Sequence, residues 1–273
     1  MSYTTLMVYV DADGAPEPRV HLAASLADKF NATLIGCCAA AVRPPIGAEG
    51  GVIVEATEAQ MEEIKAKLAE KGNWFRKAAG AEHRKLEWRS AVDYPSDVLA
   101  RESRSADLIV IGRSKEPGDV YSSLDLGGTV LKVGRPVLVA PEGVRSLRAE
   151  HVVIAWKDTR EARRAVRDAL PLLHEATRVT IVEICGSGEE EMAQQHTDDV
   201  AHYLERHRIK GGPRVVLHQK GSGAGQLIRL AQDEGADLLV TGAYGHSRVG
   251  EWIFGGVTRD LLASSPICCL MSH

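Results

Sequence analysis

No apolar run in this 273-residue chain reaches the roughly 18–20 residues that a membrane-spanning helix needs, so a helical membrane protein is not expected. The opening segment, Met1 to Gly14, has no basic stretch ahead of its apolar residues and reaches Asp11 after one short run. It reads as a structural strand rather than a secretion signal. An excess of positive charge is also missing. Thirty-three Lys and Arg against 37 Asp and Glu leave a net charge of −4 and a pI near 6.2. That balance argues against a broad phosphate-backbone footprint, and so against DNA or RNA as the main partner. Cysteine is scarce and unpatterned: Cys37, Cys38, Cys185, Cys268 and Cys269 form no CxxC or Cys/His metal spacing. Four of them are adjacent pairs in apolar runs, where strand neighbours point to opposite faces, so neither pair is placed to share a metal. Buried free thiols of a cytoplasmic protein are the expectation. What is present is an ordinary globular composition, 44% hydrophobic and 26% charged with a mean hydropathy of −0.14. The length suits one large domain or two of usual size.

An internal repeat decides between these. Ala106-Asp107-Leu-Ile-Val-Ile-Gly112 returns as Ala236-Asp237-Leu-Leu-Val-Thr-Gly242, 130 residues later. At the same offset Arg135-Pro136-Val-Leu-Val returns as Ser265-Pro266-Ile-Cys-Cys. The opening runs also correspond, Leu6–Val10 with Val152–Trp156, at an offset of 146. The extra 16 residues fall to a longer loop in the first half, assigned to the Pro- and Gly-rich stretch Arg43–Gly51.

Each half alternates apolar runs with amphipathic segments. The first predicts strands near 4–10, 33–40, 84–90, 107–112 and 136–140, with helices near 17–30, 55–79, 95–104 and 124–133. The second predicts strands near 151–156, 177–184, 213–219, 237–241 and 266–271, with helices near 159–174, 189–208, 223–234 and 247–263. Ala162, Val166, Ala169, Leu170 and Leu173 recur at helical spacing, while Arg160, Arg163, Arg164 and Arg167 fill the opposite face. Runs such as Leu108–Ile111 are apolar throughout, as parallel strands covered on both faces require. The pattern is an α/β chain of two tandem five-stranded, doubly wound parallel sheets. The units are expected at 1–143 and 149–273, divided within the polar stretch Pro141–Glu150.

Ligands of open parallel sheets sit beyond the carboxyl ends of the strands, where strand order reverses. After the fourth strand of the second unit comes Gly242-Ala-Tyr-Gly245-His246-Ser-Arg248, running on to Gly255-Gly256-Val257-Thr258. Glycines let main chain approach a phosphate, and free N–H groups at a helix start favour anions. Thr258 offers a hydroxyl, and His246 and Arg248 offer charge or hydrogen bonds. A ligand-free strand-to-helix connection carries the same glycine pattern.

The spacing G-x2-G-x9-G-(S/T) at this point resembles the ATP-binding signature of the universal stress protein family. Gly242, Gly245 and Gly255 match its glycines, Gly256 stands where the family prefers Ser or Thr, and Thr258 supplies a hydroxyl two residues later. The resemblance covers the whole chain as two tandem copies. It implies an adenine-nucleotide α-hydrolase-like, Rossmann-like sheet of order 3-2-1-4-5, an adenine nucleotide such as ATP, with or without Mg2+, and a stress-response role. It also implies that the fifth strands, near 136–140 and 266–271, pair with each other, so that one chain resembles a single-unit homodimer. Further dimerisation and an unidentified protein partner are open expectations.

The copies differ within the signature. ATP-binding members end the first strand in an Asp, which the first unit keeps as Asp11; the second unit has Lys157 there and Asp158 one step on. The first unit's loop reads Gly112-Arg-Ser-Lys115, with Asp125-Leu126 at the aligned end and Gly127-Gly128 out of register. An acid beside a phosphate position repels the anion. A site is therefore expected in the second unit, formed by Lys157, Gly242, Gly245, His246, Arg248, Gly255, Gly256, Val257 and Thr258, and acting by binding. Two alternatives stay open: a scaffold or small-ligand carrier of the same fold, and a slow nucleotide hydrolase using Lys157, Asp158 and His246. His196, His202 and His207 share no helix face and read as solvated. Gly221-Ser-Gly-Ala-Gly225 lacks the G-x-S-x-G order of a serine elbow.

Overall fold

The computed structural model describes residues 2–43, 58–80, 85–113, 119–245 and 256–273. The first unit runs β1 Thr5–Tyr9, α1 Glu17–Phe30, β2 Thr33–Ala39, α2 Glu58–Ala79, β3 Leu86–Ala91, α3 Pro95–Glu102, β4 Leu108–Gly112, α4 Leu126–Lys132 and β5 Val137–Ala140. The second runs β6 His151–Trp156, α5 Arg160–Leu173, β7 Arg178–Cys185, α6 Glu190–Arg206, β8 Gly211–Leu217, α7 Gly223–Asp233, β9 Leu238–Gly242, α8 Gly256–Ser264 and β10 Cys268–Ser272. The expected alternation is present throughout. The expected loop at 44–51 and the first part of the expected last helix lie outside the described residues. Strand starts shift by two residues at β10, which begins at Cys268, behind the expectation, and at β8, which begins at Gly211, ahead of it. Gly211, Gly212 and Pro213 are poor strand formers, but each pairs in parallel register with β7, from Val179 to Ile181. Pro213 is tolerated because β8 is an outer strand, with no neighbour on its other side to receive an N–H.

The strands form one sheet of order β3-β2-β1-β4-β5-β10-β9-β6-β7-β8. Each unit contributes the 3-2-1-4-5 order, and every pairing is parallel except that between β5 and β10. There Cys269 faces Val139, Leu270 faces Leu138 and Met271 faces Val137 in antiparallel register. The fifth strands thus cover each other's exposed edges, as unpaired N–H and C=O groups require. Helices α1, α2, α5 and α6 pack on one face, and α3, α4, α7 and α8 on the other. Both apolar layers run through the two units without a break at the seam. Tyr3 Oη in the first unit donates to Asp168 O of α5 at 2.6 Å, which adds a polar tie.

The repeated Ala-Asp pair has a local reason. Asp107 accepts from the amides of Thr4 and Thr5 at 2.7 and 3.0 Å. Asp237 accepts from the amides of Glu150 and His151 at 3.2 and 3.1 Å. Each carboxylate closes the start of its unit's first strand. The five thiols are buried, and the adjacent pairs divide between the two faces: Cys38 and Cys268 in one layer, Cys37 and Cys269 in the other. Burial pushes all five thiols up, which leaves them poor nucleophiles.

Candidate functional site

Beyond the ends of β6 and β9 lies a crevice of about 330 Å3. Its walls come from Trp156 and Lys157 after β6, the main chain at Gly242, Tyr244 and Gly245, and Gly256, Val257 and Thr258 at the start of α8. Ile184 and Leu227 supply apolar surface. The structure thus brings together six of the nine expected site residues. His246, Arg248 and Gly255 lie outside the described residues. Gly256 is the first residue of α8, and a Cβ added there meets nothing within 4 Å among the described residues. Thr258 is buried, and its Oγ1 accepts from the Tyr244 amide at 3.1 Å, fixing the loop to the helix.

The first two glycines serve the fold as well as the crevice. A Cβ on Gly242 would stand 2.5 Å from the Ala162 amide and 2.7 Å from the Glu161 carbonyl carbon. Gly242 therefore lets the first turn of α5 lie directly on the end of β9. On Gly245 a Cβ would meet Thr159 Oγ1 at 2.9 Å and a Glu161 carboxylate oxygen at 3.0 Å. Thr159 caps α5, its hydroxyl accepting from the Ala162 amide at 3.2 Å. Glu161 is buried and paired with Arg160. Burial alone would raise its pKa, but the hydrogen bond and charge of Arg160, with help from His273, hold the carboxyl below the usual range. A fixed negative charge thus stands behind Gly245.

Lys157 sits where this crevice meets a second cavity of about 280 Å3, which also shares Thr159 and Gly245. Its Nζ lies 3.5 Å from Glu183 Oε1, and the lysine side chain is 50% exposed. Glu183, on β7, is almost fully buried, and its other oxygen pairs with His196 Nδ1 at 3.1 Å. This corrects the expectation that His196 is a solvated helix histidine. It stands on the face of α6 that turns toward β7, because Glu183 needs a second polar partner in an apolar layer. A readable signal existed in Thr180-Ile-Val-Glu183-Ile-Cys185, a carboxylate inside an otherwise apolar strand. Among the described residues no group of three or more His, Cys, Asp or Glu is placed to hold a metal ion.

The first unit fills the equivalent space with its own chain. Asp11, after β1, is paired with Arg19 of α1. The guanidinium of Arg19 lies over Gly112, where a Cβ would be 2.7 Å from Nη1. The Ala41 amide beyond β2 donates to Tyr121 O at 2.7 Å. Asp13 is held below the usual carboxylate range, chiefly by hydrogen bonds from Lys67 and Ser122. Arg19 thus stands over the end of β4, and Tyr121 is tied to the chain just beyond β2. Nothing in the sequence marked Arg19 for this part, since an arginine near the start of an amphipathic helix usually faces water.

A model described as the universal stress protein family matches this chain twice, at residues 2–122 and 148–273. No curated protein relative matches it. Among solved structures, a universal stress protein from Archaeoglobus fulgidus DSM 4304 superposes with a TM-score of 0.71 at 14% identity, over 98% of this chain and 95% of that one. A functionally unknown protein from Pseudomonas aeruginosa PAO1 gives 0.59 at 12% identity, over 99% and 92% of the two chains. A universal stress protein in complex with cAMP matches 52% of this chain and 100% of its own, at 24% identity and a TM-score of 0.34. At 14% and 12% identity, the first two speak for the fold alone. No helix among the described residues is long and apolar enough to cross a membrane.

Proposed function

Because the chain belongs to the universal stress protein family, we propose that it binds one adenine nucleotide of the ATP class, in the second unit, and acts through binding rather than turnover. The observation that carries this reading is the contrast between the two strand-end crevices. The second keeps about 330 Å3 of space between Lys157, the main chain of Gly245 and the start of α8, while in the first the Arg19 guanidinium lies over Gly112 and Tyr121 O is bonded to the Ala41 amide beyond β2. The second crevice offers partners to an anion, and the Glu161 charge behind Gly245 is answered by Arg160. Gly256 opens a nine-residue helix with no side chain of its own, Thr258 adds a hydroxyl, and Lys157 is half-exposed beside Glu183. Phosphate groups bound there would face the α8 amides and Lys157. Expected partners His246, Arg248, Gly255 and Val257 belong to the same reading, as does a division of the chain at residues 1–143 and 149–273 and a cytoplasmic stress-response role.

Binding would stabilise the native chain by RT ln(1 + [L]/Kd), so ATP at millimolar concentration raises the melting temperature. Nucleotide extracted from the purified protein, and the same titration with and without Mg2+, identify the bound species. Gly245→Val abolishes the shift, because its side chain would press on Thr159 and Glu161 at the mouth of the crevice. An unshifted melting temperature in the unsubstituted chain would favour the scaffold reading. Steady-state phosphate release well above buffer would favour the hydrolase.

A further inference from the structure

Tyr244 lies between Gly242 and Gly245, yet its side chain serves the other unit. Its φ is +59°, a left-handed conformation that a bulky residue holds only when its surroundings enforce it. Two contacts do so. The Tyr244 amide donates to Thr258 Oγ1 at 3.1 Å, and the phenol crosses the seam to the start of α4. A Cβ on Gly127 would stand 2.7 Å from the Tyr244 hydroxyl, and one on Gly128 would collide with the Asp125 carboxylate. The two glycines that fell out of register in the first unit's loop therefore have a use. They leave room for Tyr244 and for Asp125, the residue preceding α4. Burial, and then the Asp125 charge, push the phenol up, so it stays neutral in this socket.

The far end of α8 is held by the first unit too. Arg113, directly after β4, donates to the carbonyl of Ser265, one residue past α8. Helices α4 and α8 also pack against each other across the seam. The first unit thus grips α8 at both ends, through Tyr244 at the start and Arg113 at the finish. Gly256 and Thr258, which the reading above assigns to phosphate, ride on that helix.

We propose that Tyr244 is a positioning residue: seated in the Gly127 socket, it holds the second unit's loop and α8 in the geometry that receives the nucleotide. The first unit then supports a site it does not touch, and occupancy and seating of the phenol are coupled. The coupling part rests on the proposed nucleotide function; the seating part does not.

The experiment is a two-by-two set in the full chain, Gly127→Val and Tyr244→Gly, singly and together, titrated with MgATP by calorimetry. Gly127→Val evicts the phenol and weakens ATP about tenfold, within the usual range for coupled sites. In the Tyr244→Gly background the same substitution changes affinity no further, a non-additivity that a general loss of stability does not produce. An unchanged affinity for Gly127→Val, or an equal loss in both backgrounds, overturns the proposal. If Gly127→Val does not fold, Gly127→Ala makes the same comparison, since its Cβ presses only on the tip of the phenol. Hydrogen exchange at the Tyr244 amide separates the two readings. Should the unsubstituted chain bind no ATP, the nucleotide reading falls alone, and faster exchange in Gly127→Val still supports the seating. Unchanged exchange overturns it.

Discussion

In the first unit the guanidinium of Arg19 lies over Gly112 and is paired with Asp11; in the second, at the same point of the fold, the main chain of α5 lies over Gly242 and leaves space beside it. The two glycines match in the repeat, follow matching strands and sit in matching order in one sheet. What differs is the neighbour: the far end of a flexible side chain in one unit, helix backbone in the other. A fold is held by many apolar residues, each contributing a little, so the architecture survives substitution after duplication. A site depends on a few groups, and in the first unit Asp11, Arg19 and Tyr121 are all engaged with the unit's own chain. The repeat has kept the frame twice, with Arg19 over the glycine in the first unit and about 330 Å3 of space beside it in the second.

The comparison breaks most visibly at those glycines. Gly242→Ala sets a Cβ against the Ala162 amide and the Glu161 carbonyl carbon, which cannot yield without moving the start of α5. A loss of about 2–3 kcal/mol in urea unfolding is expected, as for an overpacked core. Gly112→Ala meets only the guanidinium of Arg19 and costs about 1 kcal/mol or less. Equal losses would mean that the neighbours do not set the difference.

Arg19→Ala tests the plug itself. It removes the partner of Asp11, which is 37% exposed and can rehydrate, so stability falls by about 1–2 kcal/mol. The number of ATP molecules bound per chain stays unchanged, because Tyr121 O still covers the Ala41 amide. A second binding event in calorimetry would show that Arg19 alone closes the first unit.

The smallest expected effect is on pH. Burial would raise the pKa of Asp107, but hydrogen bonds from the Thr4 amide, the Thr4 hydroxyl and the Thr5 amide outweigh it and hold the carboxyl below its usual value. A folded-state pKa below the unfolded one adds stability that is fully present above about pH 4 and is lost as pH falls through the folded value. Asp107→Asn should therefore lower the melting temperature slightly at pH 7 and flatten its decline in acid. An acid limb identical in both proteins would show that this carboxylate does not link folding to pH.

Much of the architecture was legible because its signals are local. Apolar runs such as Leu108–Ile111 state burial on both faces, and the stripe of Ala162, Val166, Ala169, Leu170 and Leu173 states which side of α5 faces the sheet; all five are buried. The glycine spacing after β9 located a crevice, though Gly242 and Gly245 also turned out to admit α5. The start of β8 was not legible, since its pairing with β7 overrides the poor strand propensity of Gly211, Gly212 and Pro213. Glu183, a carboxylate inside an apolar strand, signalled its need of a partner, but not that His196 on another element would be that partner.

The sequence by itself determined that two α/β units stand in tandem, where their strands and helices fall, and that the copies had diverged at Asp11, Lys157 and the glycine loops. Only the tertiary structure decided that Arg19 lies over Gly112 beside Asp11, that His196 answers Glu183, and that Tyr244 holds a left-handed backbone with its phenol against Gly127 of the other unit. The reason is range. Periodicity and punctuation act between residues a few positions apart, whereas Tyr244 and Gly127 are brought together only by the antiparallel pairing of β5 with β10.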